Sequence, residues 1–215
     1  MKKFDIDLID VDADGIAESQ TPAAGGVQSL TLDGVLADLG TAGEFDIYDA
    51  GYSTGIGGVQ IGITSAGNDS GNTFVVTGTD QNGDAATESI TGPNAGTVES
   101  TGYWRTITSI TISANAVGAI TVGTVDEAVT VDVMLNKYVT STVAVSGLAG
   151  TINYGIQESF DPQNAVPVNW IDAQASKTAD LAAELTAKAS YTRLVVNSYS
   201  SGAELQFHWQ TGYSG

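Results

Sequence analysis

The chain has 215 residues, of which 26 are glycine, 25 acidic and 7 basic, giving a formal charge of −18. That balance excludes a surface built to grip nucleic-acid phosphates, because such binding draws on Lys and Arg displacing counterions. With no cysteine and a single histidine, disulfides, thiolate zinc sites, cysteine nucleophiles and multi-histidine metal sites are excluded as well.

At the start, Lys2 and Lys3 supply the charges of a signal peptide, but Asp5, Asp7 and Asp10 interrupt any apolar stretch that would follow. No run approaches the ~18 apolar residues of a membrane span, so the expectation is a soluble chain with no membrane partner. The run Asp10-Val11-Asp12-Ala13-Asp14-Gly15 has oxygens at positions 1, 3 and 5 and a glycine at 6, as a calcium loop does. Position 12, which should hold a bidentate Glu, holds Thr21, and Glu18 at position 9 is only a partial substitute. Calcium binding by Asp10, Asp12 and Asp14 therefore stands beside the alternative of a solvated acidic turn. Residues 1–19 read as an acidic, extended N-terminal arm.

From there the hydrophobic period is two. Val59, Ile61 and Ile63 alternate with Gln60 and Gly62; Val129, Val131, Val133 and Leu135 alternate with Thr130, Asp132 and Met134. Ile152, Tyr154 and Ile156, then Leu205, Phe207 and Trp209, repeat the pattern. Half-buried antiparallel strands look like this. Threonine is the expected outward residue, at Thr106, Thr108, Thr111, Thr121, Thr130 and Thr140, since a β-branched hydroxyl suits a wet pleated face. Gln81-Asn82-Gly83-Asp84 predicts a hairpin with a type I′ turn between 74–80 and 85–91. Further breaks fall at 67–71, 92–96, 146–147 and 200–202. Lys177 to Ala189, alanine-rich with Leu181 and Leu185 four apart, reads as either a short helix or a surface loop. A composition change near Gly123–Glu127, from Gly/Thr-rich to aromatic-bearing, divides the remainder into units of 20–125 and 126–215. The fold class expected is all-β: two small antiparallel β-sandwich units, jelly-roll or Ig-like, behind the arm.

Chemistry-bearing candidates are few. His208, between Phe207 and Trp209, points away from the core with Gln206 and Gln210, and no G-x-S-x-G elbow offers it a nucleophile. Gly78-Thr79-Asp80 precedes no helix and so is no phosphate loop. Acids in turns, such as Asp69, Asp80 and Asp84, read as solvated rather than as a buried glycosidase pair. Arg105 and Arg193 read as carboxylate anchors or isolated surface cations. No catalytic residue, cofactor site or metal site is assigned, and the chain is expected not to be an enzyme.

Three stretches taken together carry a resemblance: Ile63 to Phe74 (ITSAGNDSGNTF) running into Val76 to Gly83 (VTGTDQNG), then Glu88 to Thr97 (ESITGPNAGT), then Thr106 to Ile112 (TITSITI). In this order they resemble a family of tailed-bacteriophage virion proteins met among head-assembly components. The upstream Asp12 to Ala17 and Leu30 to Gly34, and a C-terminal pattern of strand, Trp170 and Arg193-Leu194-Val195-Val196, are similar to segments of the same proteins. Asp180 to Ala189 departs from them, where a shorter glycine-containing loop is expected. The resemblance implies a virion structural protein, foremost a capsid decoration (cement) protein on the head exterior, made in the host cytoplasm. Its implied partners are the major capsid protein and itself, as a homotrimer. The alternatives are a neck, tail or fibre-base component, or a surface carbohydrate-binding or adhesion module.

Overall fold

The computed structural model describes residues 2–135, 141–161, 169–184 and 189–211. Among them the regular structure is all strand, with no helix. In chain order the strands are β1 (Lys2–Asp7), β2 (Ala17–Gln20), β3 (Gln28–Ser29), β4 (Phe45–Asp46), β5 (Ile56–Asn68), β6 (Thr73–Asp80), β7 (Ala85–Thr91), β8 (Asn94–Glu99) and β9 (Trp104–Ile112). They continue with β10 (Ile120–Thr130), β11 (Val133–Met134), β12 (Ser141–Ala149), β13 (Ile152–Ser159), β14 (Ile171–Lys177), β15 (Leu181–Glu184), β16 (Tyr191–Tyr199) and β17 (Glu204–Thr211). The protein is thus all-β, built from large antiparallel sheets as β-sandwiches are. No helix among the described residues is long and apolar enough to cross a membrane.

Two compact units divide the chain: Val11–Tyr52 with Gly57–Val125, and Met1–Asp10 with Ser53–Ile56 and Asp126–Gly215. Residues 1–19, read above as an arm, contribute a strand to each. β1 pairs with β17 from Lys2↔Trp209 to Asp7↔Glu204, burying Ile6, whereas β2 pairs with β10.

In the first unit, rich in Gly and Thr, the strand order is β10-β5-β9-β6-β7, with β8 added to β5 and the short β3 and β4 to β9. Alternation explains β6, where Phe74 and Val76 are buried and Val75 and Thr77 are half-buried. It does not explain β5. From Gly57 to Ile63 every residue is buried, so Gln60 and Gly62 do not form the wet face their polarity predicts. Gly62 faces the Thr97 methyl and Val125, and the Gln60 amide donates to the Thr101 carbonyl (3.4 Å). A two-sided strand of this kind reads as a buried run once both faces are covered. Fully buried Ile61, Ile63, Phe74, Ile107 and Ile110 form its core, each worth about 1.5–3 kcal/mol of burial.

The β6–β7 hairpin forms where expected, with Thr79↔Ala85 as its last pair, but its turn is not type I′. Only Gly83 has positive φ (84°), and Asn82 does not. The Gly83 amide bonds the Asp80 carbonyl (2.9 Å) and the Asp80 amide bonds the Asp84 carbonyl (2.9 Å). The Asp80 carboxylate meanwhile accepts from the amides of Asn82 (2.9 Å) and Asp84 (3.0 Å). A longer loop stapled by its leading aspartate replaces the two-residue turn, because the carboxylate satisfies amides that the tighter turn would pair with the opposite strand.

The second unit holds β14-β13-β16 beside the end of β10, with β11 on β16, and a four-stranded sheet β1-β17-β12-β15. Tyr154 and Ile156 of β13 and Leu205 and Phe207 of β17 are buried as their alternation predicts. The Val129–Leu135 run is broken. β10 ends at Thr130, and pairing resumes only at Val133↔Thr192. Thr130, expected to face water, is fully buried, and its hydroxyl oxygen accepts the Leu194 amide (3.0 Å); Thr140 lies outside the described residues. The 177–189 segment holds no helix where described: residues 178–180 are irregular, but a strand follows where a helix or loop is expected. Leu181–Glu184 is a strand on β12, from Val145↔Leu181 to Thr142↔Glu184. Pairing to a sheet edge there overrides the helical preference of alanine, and 185–188 lie outside the described residues.

Candidate functional site

In the Gly/Thr-rich unit, the ends of β6 and β9 and the flank of β7 enclose a groove of about 240 Å³. Its walls are Asp80 and Gln81, then Ala86 to Glu88, then Thr101 to Trp104. Period two puts Ala86 and Glu88 on one face of β7, and the β7–β6 register sets Glu88 opposite Val76. The Glu88 carboxylate holds the loop before β9. Oε1 accepts from the Thr101 amide (2.8 Å) and hydroxyl (2.9 Å), and Oε2 accepts from the Gly102 amide (3.0 Å). Trp104, 2% exposed, is paired with Val59 on one side and Asp80 on the other. Its indole Nε1 is buried with no acceptor among the described residues. Gly102 is the gap in the wall: a Cβ there would lie 3.1 Å from Glu88 Oε2 and 3.9 Å from Trp104 Nε1.

The residues singled out from the sequence lie elsewhere or do other work. His208 is half-buried on β17 and its Nε2 is 3.0 Å from the Ser146 hydroxyl. Nearby on the same sheet Asp5 takes Lys3 (2.7 Å) and Gln206 (2.9 Å), and the Lys3 ammonium, foremost, holds its carboxyl below the ordinary 3.8. Asp12 and Asp14 build a turn: the Asp14 amide donates to Asp12 Oδ1 (3.2 Å), and the Asp12 amide donates to Thr124 Oγ1 (3.1 Å). Asp10, Asp14 and Glu18 are exposed. Among the described residues no three acidic, histidine or cysteine side chains converge as metal ligands. No family model, curated protein or solved structure matches the chain.

Arg105 and Arg193 each lie over an aromatic ring. The Arg105 guanidinium lies 4.8 Å from the centre of the Tyr48 ring, and that of Arg193 lies 4.2 Å from the centre of Trp170. Arg193 Nε also donates to Gln157 Oε1 (2.8 Å). Asp69, expected in water, is 1% exposed. Its Oδ1 accepts from Asn72 Nδ2 (2.9 Å) and the Val117 amide (2.8 Å), and its Oδ2 from Ser65 Oγ (2.6 Å) and the Gly118 amide (3.2 Å). Burial pushes this carboxyl up, but the four donors outweigh it and hold the pKa below 3.8. Gly78-Thr79-Asp80 is strand, with Gly78 at a register shift where a Cβ would strike the Thr106 carbonyl.

Sequence reasoning missed the groove. Its one local signal is a glycine placed directly before Tyr103-Trp104; the rest depends on which residues β7 sets beside that loop.

Proposed function

We propose that the chain is a non-enzymatic structural protein of a bacteriophage virion, a decoration protein bound to the outside of the head. The observation that carries this reading is where the resembling residues fall. Asp69 and Asn72 of the ITSAGNDSGN stretch hold the 115–118 loop. Asp80 of TGTDQNG staples the β6–β7 turn, and Glu88 of ESITG fixes the loop before β9. A pattern made of fold-holding residues suits a protein whose value is mechanical.

Charge favours the exterior. At −18 per copy the protein is repelled by packaged DNA, and attachment to the shell relies on a dedicated apolar or strand-edge contact. Assembly as a trimer at local symmetry axes, with the major capsid protein as partner, belongs to the same proposal. Quantitative mass spectrometry of purified virions, with cryo-EM of the particle, tests it. The expected result is many copies over the head surface. A ring of six or twelve copies at the neck or tail would relocate the protein, and absence from purified virions would overturn the reading.

A further inference from the structure

We propose that the free edge of β7 pairs antiparallel with β7 of a second copy of this chain, joining the two in a two-fold dimer. The inference rests on this edge alone and stands apart from the virion reading; the contact is distinct from the trimer axis proposed there.

An unpaired strand edge is a template for another strand, and proteins blunt such edges with charge, bulges or brevity. Among the described residues the two sheets end, in strand order, on β14 and β7 and on β1 and β15. Three of these ends are blunted. β14 shifts register twice against β13 and holds Ser176 at positive φ (48°). β1 carries Lys2, Lys3, Asp5 and Asp7 in six residues, and the Asp7 amide donates to Ser53 Oγ (3.2 Å). β15 is four residues long. The added strand β8 is bulged as well, with Ala95 at positive φ (49°). β7 (AATESIT) has no proline, glycine or lysine, and its seven residues pair with β6 in one unbroken register.

The phase of its hydrogen bonds says what that edge offers. The Asp80 amide bonds the Asp84 carbonyl and the Gly92 amide bonds the Asn72 carbonyl, at the two ends of the hairpin. Bonded and non-bonded pairs alternate in an antiparallel ladder, so Ala86, Glu88 and Ile90 turn their main-chain groups to β6. Those of Ala85, Thr87, Ser89 and Thr91 point outward, and the side chains of the same four residues are exposed.

Charge selects the occupant. Across β6 the four exposed residues face Thr79, Thr77, Val75 and Thr73, so this face is uncharged on a chain of −18. Glu88, the one charged residue of β7, turns to its own loop at Thr101 and Gly102. A second copy is repelled wherever acids meet acids and is admitted here. It also brings a strand that fits, with the same uncharged outward edge in need of a partner. A two-fold axis through Thr87 or Ser89 aligns outward groups with outward groups and gives about six main-chain hydrogen bonds. Either register keeps the two Glu88 side chains from lying directly opposite. The pair closes on itself and leaves no β7 edge for a third copy.

The test is sedimentation of the full chain over a range of concentrations. A contact this small belongs with weak interfaces, so the monomer–dimer midpoint should fall at about 10–100 μM. Added salt should tighten it, because the contact is neutral while the two bodies repel. Ser89→Pro removes an outward N–H at an edge position that tolerates proline and should weaken the dimer about tenfold or more. Ser89→Ala keeps that N–H and should dimerise as wild type does. If Ser89→Pro fails to fold, Thr87→Asp, on the exposed face, sets like charges across the edge and carries the same expectation. Amide exchange in wild type should show β7 gaining protection with concentration while β1 and β14 gain none. A chain that is monomeric at about 500 μM, well above the midpoint expected of a weak interface, leaves the edge to water or to another protein's strand and overturns the proposal. So does a dimer undiminished in a folded Ser89→Pro or Thr87→Asp.

Discussion

Replacing Asp69 by alanine removes the acceptor of four hydrogen bonds at once: two from side chains on either side of the β5–β6 turn and two from the 117–118 backbone. The donors do not lose equally. The Val117 and Gly118 amides sit in part-buried bonds and recover some water, but Ser65 and Asn72 are 2% and 7% exposed and their donors recover little. At about 1–3 kcal/mol for each buried donor left without a partner, two such donors set an expected loss of about 2–6 kcal/mol. Asp69→Asn keeps one accepting oxygen but turns an NH₂ toward donors, so about 2–3 kcal/mol is expected. Two units make a single global transition unsafe to assume, so the measurement is amide hydrogen exchange by mass spectrometry. Peptides from 61–76 and 113–118 should lose protection while those from 191–211 keep theirs.

Acid gives an independent reading. Because the folded Asp69 pKa lies below 3.8, its contribution is complete above the unfolded value. It is lost as pH falls from about 4 through the lower folded value. Wild type should therefore weaken in that window, with a flatter response in Asp69→Asn. Equal protection of wild type and Asp69→Ala at pH 7, or equal acid slopes in wild type and Asp69→Asn, would refute the reasoning.

Tyr154 donates to the Ala179 carbonyl at 2.6 Å; Tyr154→Phe should cost about 1 kcal/mol of local stability, seen as faster amide exchange in β13. Burial, then the Asp180 charge, pushes the phenol up from 10.0 to about 12. The stability it confers should hold below pH 10 and fade from 10 to 12, and ultraviolet titration of the variant should lack a tyrosine that ionises near 12. Gly78→Ala drives a methyl into the Thr106 carbonyl and should destabilise the Gly/Thr-rich unit by about 1–3 kcal/mol, seen as faster exchange in β6 and β9. Arg193→Lys loses the flat cation over Trp170 and the Nε donor to Gln157. A cost of about 1–2 kcal/mol is expected, with a change in Trp170 fluorescence as the local readout.

Strands with one wet face were legible because alternation alone encodes them. In β17, Leu205 and Phe207 go in and Gln206 and His208 stay partly out, as the period demands. Legibility failed where a distant segment changes the environment. Asn68-Asp69-Ser70-Gly71 has the composition of a solvated turn, and Asp69 is buried only because the 115–118 loop, more than forty residues on, closes over it. Leu181–Glu184 has the composition of a helix and is a strand only because β12 presents an edge to it. The groove combines the two difficulties. Glu88 and Trp104 belong to separate strands, and nothing local to either tells that the β7 register and the Thr101–Gly102 loop bring them to one cleft.

The acidity itself has a structural side that net charge hides. In the Gly/Thr-rich unit, carboxylates repeatedly accept main-chain amides: Asp12 from Asp14, Asp33 from Glu18, Asp46 from Tyr48, Asp80 from Asn82 and Asp84, Glu88 from Thr101 and Gly102. A chain with long loops and no described helix has many amides outside any ladder, and each needs an acceptor. Short acidic side chains supply acceptors on the spot, in the way they cap helices and turns elsewhere, whereas Lys and Arg supply none. Part of the excess of acids over bases is therefore a consequence of how these loops are held, and only the remainder is free to set the field that a partner meets. The same economy explains why Glu88 stands in the groove wall. Its carboxylate is there to order the loop before β9, by accepting the Thr101 and Gly102 amides.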